Sequence, residues 1–283
     1  MLMQQYFIFD TLIQNDKTTS FTIASRSLTE LLGIDAIPFK GAKIDVGSEV
    51  LGLDKMKFYR RNAYNISLAS MEKRDIICTE NSAFTSFAMT KDALLNDFGL
   101  RNDIEELLKK DDMILNLEAK IYKLEEVLIN DIGIEKLTQM VQNPFDKFQL
   151  ALFFGTSGCK TKKYTNIDFT TTLLDIIKAK RIKYDSAYDS DGFEVLQASP
   201  LLAKQLAART MLDMFDNAAD FVLVNDARSF VMFDAYQKEL ERTAQREIGL
   251  SVLTLPQLLL LAFGVTDKKR LGINNHKVAV TLI

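Results

Sequence analysis

Residues 188–234 read YDSDGFEVLQASPLLAKQLAARTMLDMFDNAADFVLVNDARSFVMFD, from Tyr188 to Asp234. Ser199 and Pro200 open a helix, because serine suits the N-cap and proline at the first helical position gives up only an N–H without an intrahelical partner. Leu202, Leu206, Met211, Met214 and Phe215 then recur at helical spacing on one broad face. Asn217 is the stop. Asp220 leads into FVLV, a short apolar run between turn signals, which reads as a strand buried on both faces. NDARS follows, then an amphipathic stretch from Phe230 to Glu241. Helix, strand, turn and helix in this order predict a doubly wound α/β domain. Ligands of such sheets bind beyond the carboxyl ends of the strands, where Asp226 and Ser229 fall.

Length and composition set the bounds. The 283 residues suffice for two domains, and 47% apolar with 26% charged residues supports real cores. A net charge of −3 gives no electrostatic footprint for nucleic acid or an anionic membrane. The longest apolar run, LPQLLLLAFGV, is too short to cross a bilayer, and no cleavable signal opens the chain, so a cytoplasmic protein without a transmembrane segment is expected. Two cysteines, Cys78 and Cys159, are too few for a disulfide framework or a cysteine-built metal centre. A single histidine, His276, rules out a multi-histidine site.

The chain carries an internal repeat. Phe9-Asp10-Thr11 matches Phe154-Gly155-Thr156, and Gly47-Ser48-Glu49-Val50-Leu51 matches Gly192-Phe193-Glu194-Val195-Leu196 at the same spacing. A slightly longer spacing lays Ile77-Cys78 on Asn225-Asp226 and Asn81 on Ser229. A shorter one pairs Leu124 with Leu255 and Gly133 with Gly264. Each half then reads as strand, helix, short strand, glycine loop, long helix, buried strand, turn, helix, and a closing strand and helix. The fold class expected is α/β, with two pseudo-repeated Rossmann-like domains built on mostly parallel sheets. Asn143-Pro144 marks the break, giving domains 1–146 and 147–283.

On these residues the chain resembles the cysteine-rich CCG family, which includes the B-type subunit of heterodisulfide reductase and a related subunit of some succinate and fumarate reductases. Each domain of that family carries a lone cysteine, a Cys-Cys-Gly and a Cys-x-x-Cys. FFGTSGC is similar to the first-cysteine segment and places Cys159 at the lone cysteine. Ser190-Asp191-Gly192 stands where Cys-Cys-Gly would, and Asp226-Ala227-Arg228-Ser229 where Cys-x-x-Cys would, after the family-like Ala-Asp and apolar strand. VLTLPQLLLLAFG and LGINNHKV resemble the family's ending. In the first half Asp45-Val46-Gly47 and Cys78-Thr79-Glu80-Asn81 take the same places, and nothing near Asp10–Gln14 supplies the lone cysteine.

The resemblance implies iron–sulfur clusters in the family and their loss here. Clusters take thiolates, usually four each, and neither serine nor aspartate replaces a soft thiolate readily. The degenerate cofactor positions are Cys159, Ser190, Asp191, Asp226 and Ser229. No catalytic residue and no metal ligand set is assigned, so activity beyond an oxidoreductase-like ancestry stays open. Cys159 reads as a semi-buried relic on a loop, with Lys160, Lys162 and Lys163 nearby as the argument for a reactive thiol. Asp189-Ser190-Asp191-Gly192 lacks the later ligands of a calcium loop and reads as a turn whose aspartates accept local backbone N–H groups. Arg228 is positioned to neutralise Asp226. His276 reads as a turn or interface residue, and Lys268-Lys269-Arg270 as positive charge past a helix end. Glu105–Lys136 reads as charge-laced helix at the surface of the first domain.

The leading expectation is a cofactor-depleted subunit acting by interaction or regulation in a redox complex, with a flavoprotein or ferredoxin-like subunit as partner by analogy. One alternative is electron transfer or thiol redox chemistry at a cluster or metal held through Cys159. Another is small-molecule binding in the emptied cleft around Gly192 and Asp226.

Overall fold

The computed structural model describes residues 4–9, 19–44, 47–165 and 168–280. The chain divides into two compact units, one of residues 1–12 with 29–127 and one of residues 13–28 with 128–283. Each holds one four-stranded, all-parallel sheet.

In the first unit β1 (Tyr6–Phe9), β2 (Ala36–Pro38), β3 (Asp75–Cys78) and β4 (Ile121–Lys123) lie in the order β2-β1-β3-β4. In the second, β5 (Gln149–Phe153), β6 (Lys180–Arg181), β7 (Phe221–Val224) and β8 (Ser251–Thr254) lie in the order β6-β5-β7-β8. Every pairing is parallel. The two sheets therefore share one topology, and the expected α/β pseudo-repeat is what the chain forms. YFIF in β1 and FVLV in β7 are buried at every position, as strands covered on both faces must be.

Strand-for-strand matching of the sheets corrects two sequence pairings, the first being Phe9, which falls on Phe153 and not on Phe154. Cys78 ends the ladder with Lys123, and Val224 ends the corresponding ladder with Thr254. Cys78 thus corresponds to Val224, and the residue two places on, Glu80, corresponds to Asp226. Both of these acids are N-caps with extended backbones (φ −125° and −138°) and both are buried. The sequence pairing slips by two residues because it matches chemistry, Cys78 with Asp226, where the hydrogen-bonded ladder fixes register.

Local signals hold in the helices, with some changes. The helix Pro200–Asp216 starts after Ser199, but the Ser199 side chain makes no capping bond. At Leu255–Ala262, Thr254 and Gln257 form a full capping box, and Gly264 follows the end at φ +83°. The stretch after β7 is not one helix: a turn of α-helix (Ala227–Phe230) leads through a π-helical segment (Val231–Ala235) into the helix Gln237–Ala244. Glu105–Lys136 is not one helix either. The helix Phe98–Lys109 ends there, β4 intervenes, and short helical pieces follow. Lys268-Lys269-Arg270 lies inside a short helix capped by Asp267, whose carboxylate accepts from Lys269 N at 2.8 Å.

The core of the second unit runs from Ala151 and Phe153 through Ala203, Ala207 and Met211 to Val222, Phe230 and Phe233. Phe21, from the helix Thr19–Leu32, belongs to this core and meets the Phe230 ring edge-on at 6.2 Å. No described helix is long and apolar enough to cross a membrane.

Candidate functional site

The site of the second unit is built at the carboxyl ends of β5 and β7, from three segments. Phe154, just past β5, begins a helix over Gly155–Thr161, and the 188–196 loop and the Ala227–Phe230 turn supply the rest. The glycine at the centre of the loop is irreplaceable for a local reason. Gly192 holds φ +80°, and a Cβ there would lie 2.3 Å from the Ala203 carbonyl oxygen. The loop is thereby pressed against the helix Pro200–Asp216.

This placement turns Asp191 inward. Its Oδ1 accepts from Phe193 N at 2.9 Å and its Oδ2 accepts from Ser229 Oγ at 2.6 Å. Both Asp191 and Ser229 are buried. Burial pushes the Asp191 carboxyl up to about 6, the nearby Glu194 carboxylate pushes the same way, and the Ser229 and Phe193 hydrogen bonds and the Arg228 charge oppose it. Arg228 also lies over the Phe193 ring, 5.5 Å from its centroid.

Ser190 faces the other way. Its Oγ donates to Glu194 Oε2 at 3.0 Å and accepts from Gly192 N at 3.0 Å. Thr156 Oγ1 donates to the other Glu194 oxygen at 3.3 Å. Glu194 therefore ties the loop to the helix that carries Cys159. Sequence reasoning passes over Glu194 as a site residue, although its place in the paired Glu-Val-Leu motifs is a signal for it.

Cys159 departs from its expected setting. It sits on a helix, not a loop, and it is exposed, because Gly158 and Thr161 turn inward in its place. Lys162 reaches Tyr188, donating to its hydroxyl at 2.7 Å and lying 4.2 Å from the ring centroid, while Phe154 stacks on the same ring at 4.7 Å. The Tyr188 hydrogen bond raises the Lys162 pKa, with smaller contributions from the Tyr188, Cys159 and Asp168 charges. Asp226 is buried at the start of the Ala227–Phe230 turn, makes no side-chain cap there, and takes Phe230 N on its carbonyl at 3.1 Å. The structure thus joins Asp191 to Ser229 directly, with Asp226 on the same turn as Ser229, while Ser190 bonds to Glu194 on the other side of the loop and Cys159 is exposed on the neighbouring helix. In the first unit, Asp45, Val46 and Asp10–Gln14 lie outside the described residues. Cys78 is buried at the end of β3.

His276, read from the sequence as a turn or interface residue, has a buried side chain. Its side chain is 1% exposed, packs edge-on to Phe230 at 5.0 Å, and sets Nε2 2.8 Å from Gln257 Nε2. Burial lowers its pKa to about 4. Asp234, 3.9 Å away, accepts from Lys277 N and Val278 N, so this acid and imidazole hold the chain's closing segment in place.

The donors at the site do not fit an iron–sulfur cluster. One thiol is present where four thiolates are needed, and Asp191 and Ser229 direct their polar atoms at each other. Among the described residues no group of three or more His, Cys, Asp or Glu side chains is arranged to hold a metal ion.

Comparison with known proteins agrees with the framework. Residues 193–277 match the HdrB-like C-terminal domain. Over 265 residues the chain is 20% identical to a heterodisulfide reductase B-subunit-like protein of Archaeoglobus profundus, covering 89% of this chain and 88% of that one. A crystal structure of a hypothetical protein from Helicobacter pylori superposes with a TM-score of 0.82 at 20% identity over 99% of this chain, a likeness that shows the fold. The chain spans 53% of the length of that Helicobacter pylori protein. It resembles the HdrB-like family in sequence over much of its second half and, more distantly, over most of its length.

Proposed function

We propose that the chain is a component of a redox complex that keeps an HdrB-like scaffold and acts through protein interaction or regulation in place of cluster chemistry. In this reading 1–146 and 147–283 are degenerate cysteine-rich domains. The observation that carries it is the buried hydrogen bond from Ser229 to Asp191. By the resemblance, these positions correspond to those of thiolates in the related family. A hydroxyl and a carboxylate joined directly tie the glycine loop to the strand-end turn without a metal. Such a bond, with one partner charged, is short and strong.

Anaerobic purification with iron and sulfide analysis, together with affinity capture of the tagged full chain, tests the reading. The expected result is iron far below one atom per chain and a co-purified redox protein in fixed ratio. Capture is expected to survive Cys159→Ser. Stoichiometric iron and sulfide, lost in Cys159→Ser, would overturn it.

The exposure of Cys159 favours a second reading, in which this thiol itself exchanges with a disulfide of the partner. A mixed disulfide trapped on Cys159, with loss of capture in Cys159→Ser, would select that reading over the first.

A further inference from the structure

The first unit carries a cleft of about 540 Å³ that the proposed function leaves unused. Its lining includes Lys43, Lys57, Arg60, Arg61 and Tyr64, with Leu107 as an apolar wall. Lys57, Arg60, Arg61 and Tyr64 stand at i, i+3, i+4 and i+7 of the helix Lys55–Met71, so one face presents three cations and a ring. Like charges at these spacings weaken a helix. Lys55 and Lys57 also load its first turn with positive charge, and no acid stands there. The helix carries a repulsion that its own sequence does not relieve.

The acids of the cleft are already engaged. Asp111 grips Arg60 with both oxygens, at 2.7 and 2.9 Å. Asp54 caps the helix, accepting from Lys57 N at 2.9 Å. Among the described residues, neither the Lys57 ammonium nor that of Lys43 has a carboxylate within ion-pair distance, and Arg61 makes one bond, to the Ile44 carbonyl at 3.3 Å. The Lys43 backbone is fixed from both sides by the Asn65 amide, at 2.6 and 2.7 Å, and its ammonium stands 4.6 Å over the Tyr64 ring. Three cations thus line a concave surface, on one helix and a pinned loop, and among the described residues no carboxylate pairs with Lys43, Lys57 or Arg61.

We propose that this cleft binds a small, multiply charged phosphoanion, with Lys43, Lys57 and Arg61 as its ligands and Arg60 held in reserve by Asp111. Convergent ammonium and guanidinium groups suit phosphate oxygens, which accept several charge-assisted hydrogen bonds at once. The cleft's volume of about 540 Å³ suits a phosphorylated metabolite.

Isothermal titration of the full chain with inorganic pyrophosphate, at fixed ionic strength, tests this. Saturable binding of one pyrophosphate per chain is expected, weakened on the order of tenfold for each cation removed in Lys57→Ala and Arg61→Ala. Lys57→Arg is expected to restore it. No saturable heat at millimolar pyrophosphate would overturn the proposal. So would equal binding by the folded Lys57→Ala/Arg61→Ala double variant, its fold checked by circular dichroism. Neither result bears on the iron content or the partner of the second unit.

Discussion

Ser229 Oγ and Asp191 Oδ2 meet at 2.6 Å inside the second unit, joining the loop after β6 to the turn after β7. Removing the hydroxyl leaves a buried carboxylate oxygen without its donor. Ser229→Ala is expected to cost about 1–3 kcal/mol of stability at pH 7, measured by urea denaturation. The loss should shrink towards pH 4, where Asp191 is protonated. An unchanged denaturation midpoint at pH 7 would mean the bond contributes nothing.

The same carboxyl makes stability depend on pH. Its folded pKa, about 6, lies above the ordinary 3.8, so the folded state holds the proton more tightly. Its contribution is complete below about pH 3.8 and is lost as pH rises through about 6. Asp191→Asn, uncharged and of the same shape, is expected to flatten that part of the stability profile and to gain stability at pH 7. Asp234, also raised to about 6 by burial, keeps the remainder of the slope. If the variant's profile between pH 4 and 7 overlays that of the parent, Asp191 is not the group responsible.

His276 works in the opposite sense. Its folded pKa of about 4 lies below the ordinary 6.5, so its contribution is full above pH 6.5 and is lost as pH falls through about 4. With one histidine in the chain, its proton resonance is unambiguous. The ring is expected to titrate near pH 4 in the native protein and near 6.5 in urea. A native midpoint close to 6.5 would place the ring in water.

Two glycines at positive φ should respond very differently to alanine. At Gly249 (φ +62°) nothing lies within 4 Å of an added Cβ, so Gly249→Ala meets backbone strain alone, about 1 kcal/mol. At Gly192 the methyl meets the Ala203 backbone, which cannot rotate away. Gly192→Ala is expected to lose about 3 kcal/mol or more in thermal or urea unfolding. Equal losses at the two positions would refute the close approach of loop and helix.

The two thiols should separate cleanly. Exposed Cys159 is expected to react with a disulfide reagent in the native state, and Cys78, 1% exposed, only after unfolding. Two equivalents consumed by the native protein at one rate would contradict this.

Local rules carried the sequence far. FVLV between turn signals, Ser199-Pro200, and Thr254 through Gly264 state their elements within a few residues, because burial on both faces, an orphan N–H and a positive φ are local demands. The order of those elements then determined an α/β fold repeated twice, and the glycine loop and the strand-end turn were legible as one candidate site. Tertiary structure alone decided the rest. The parallel ladders set Glu80, not Cys78, as the counterpart of Asp226, because pairing register depends on residues far apart in sequence. Packing put Cys159 outside, His276 inside, and Asp191 against Ser229, since which side of a turn faces the core is settled by what the rest of the chain lays against it.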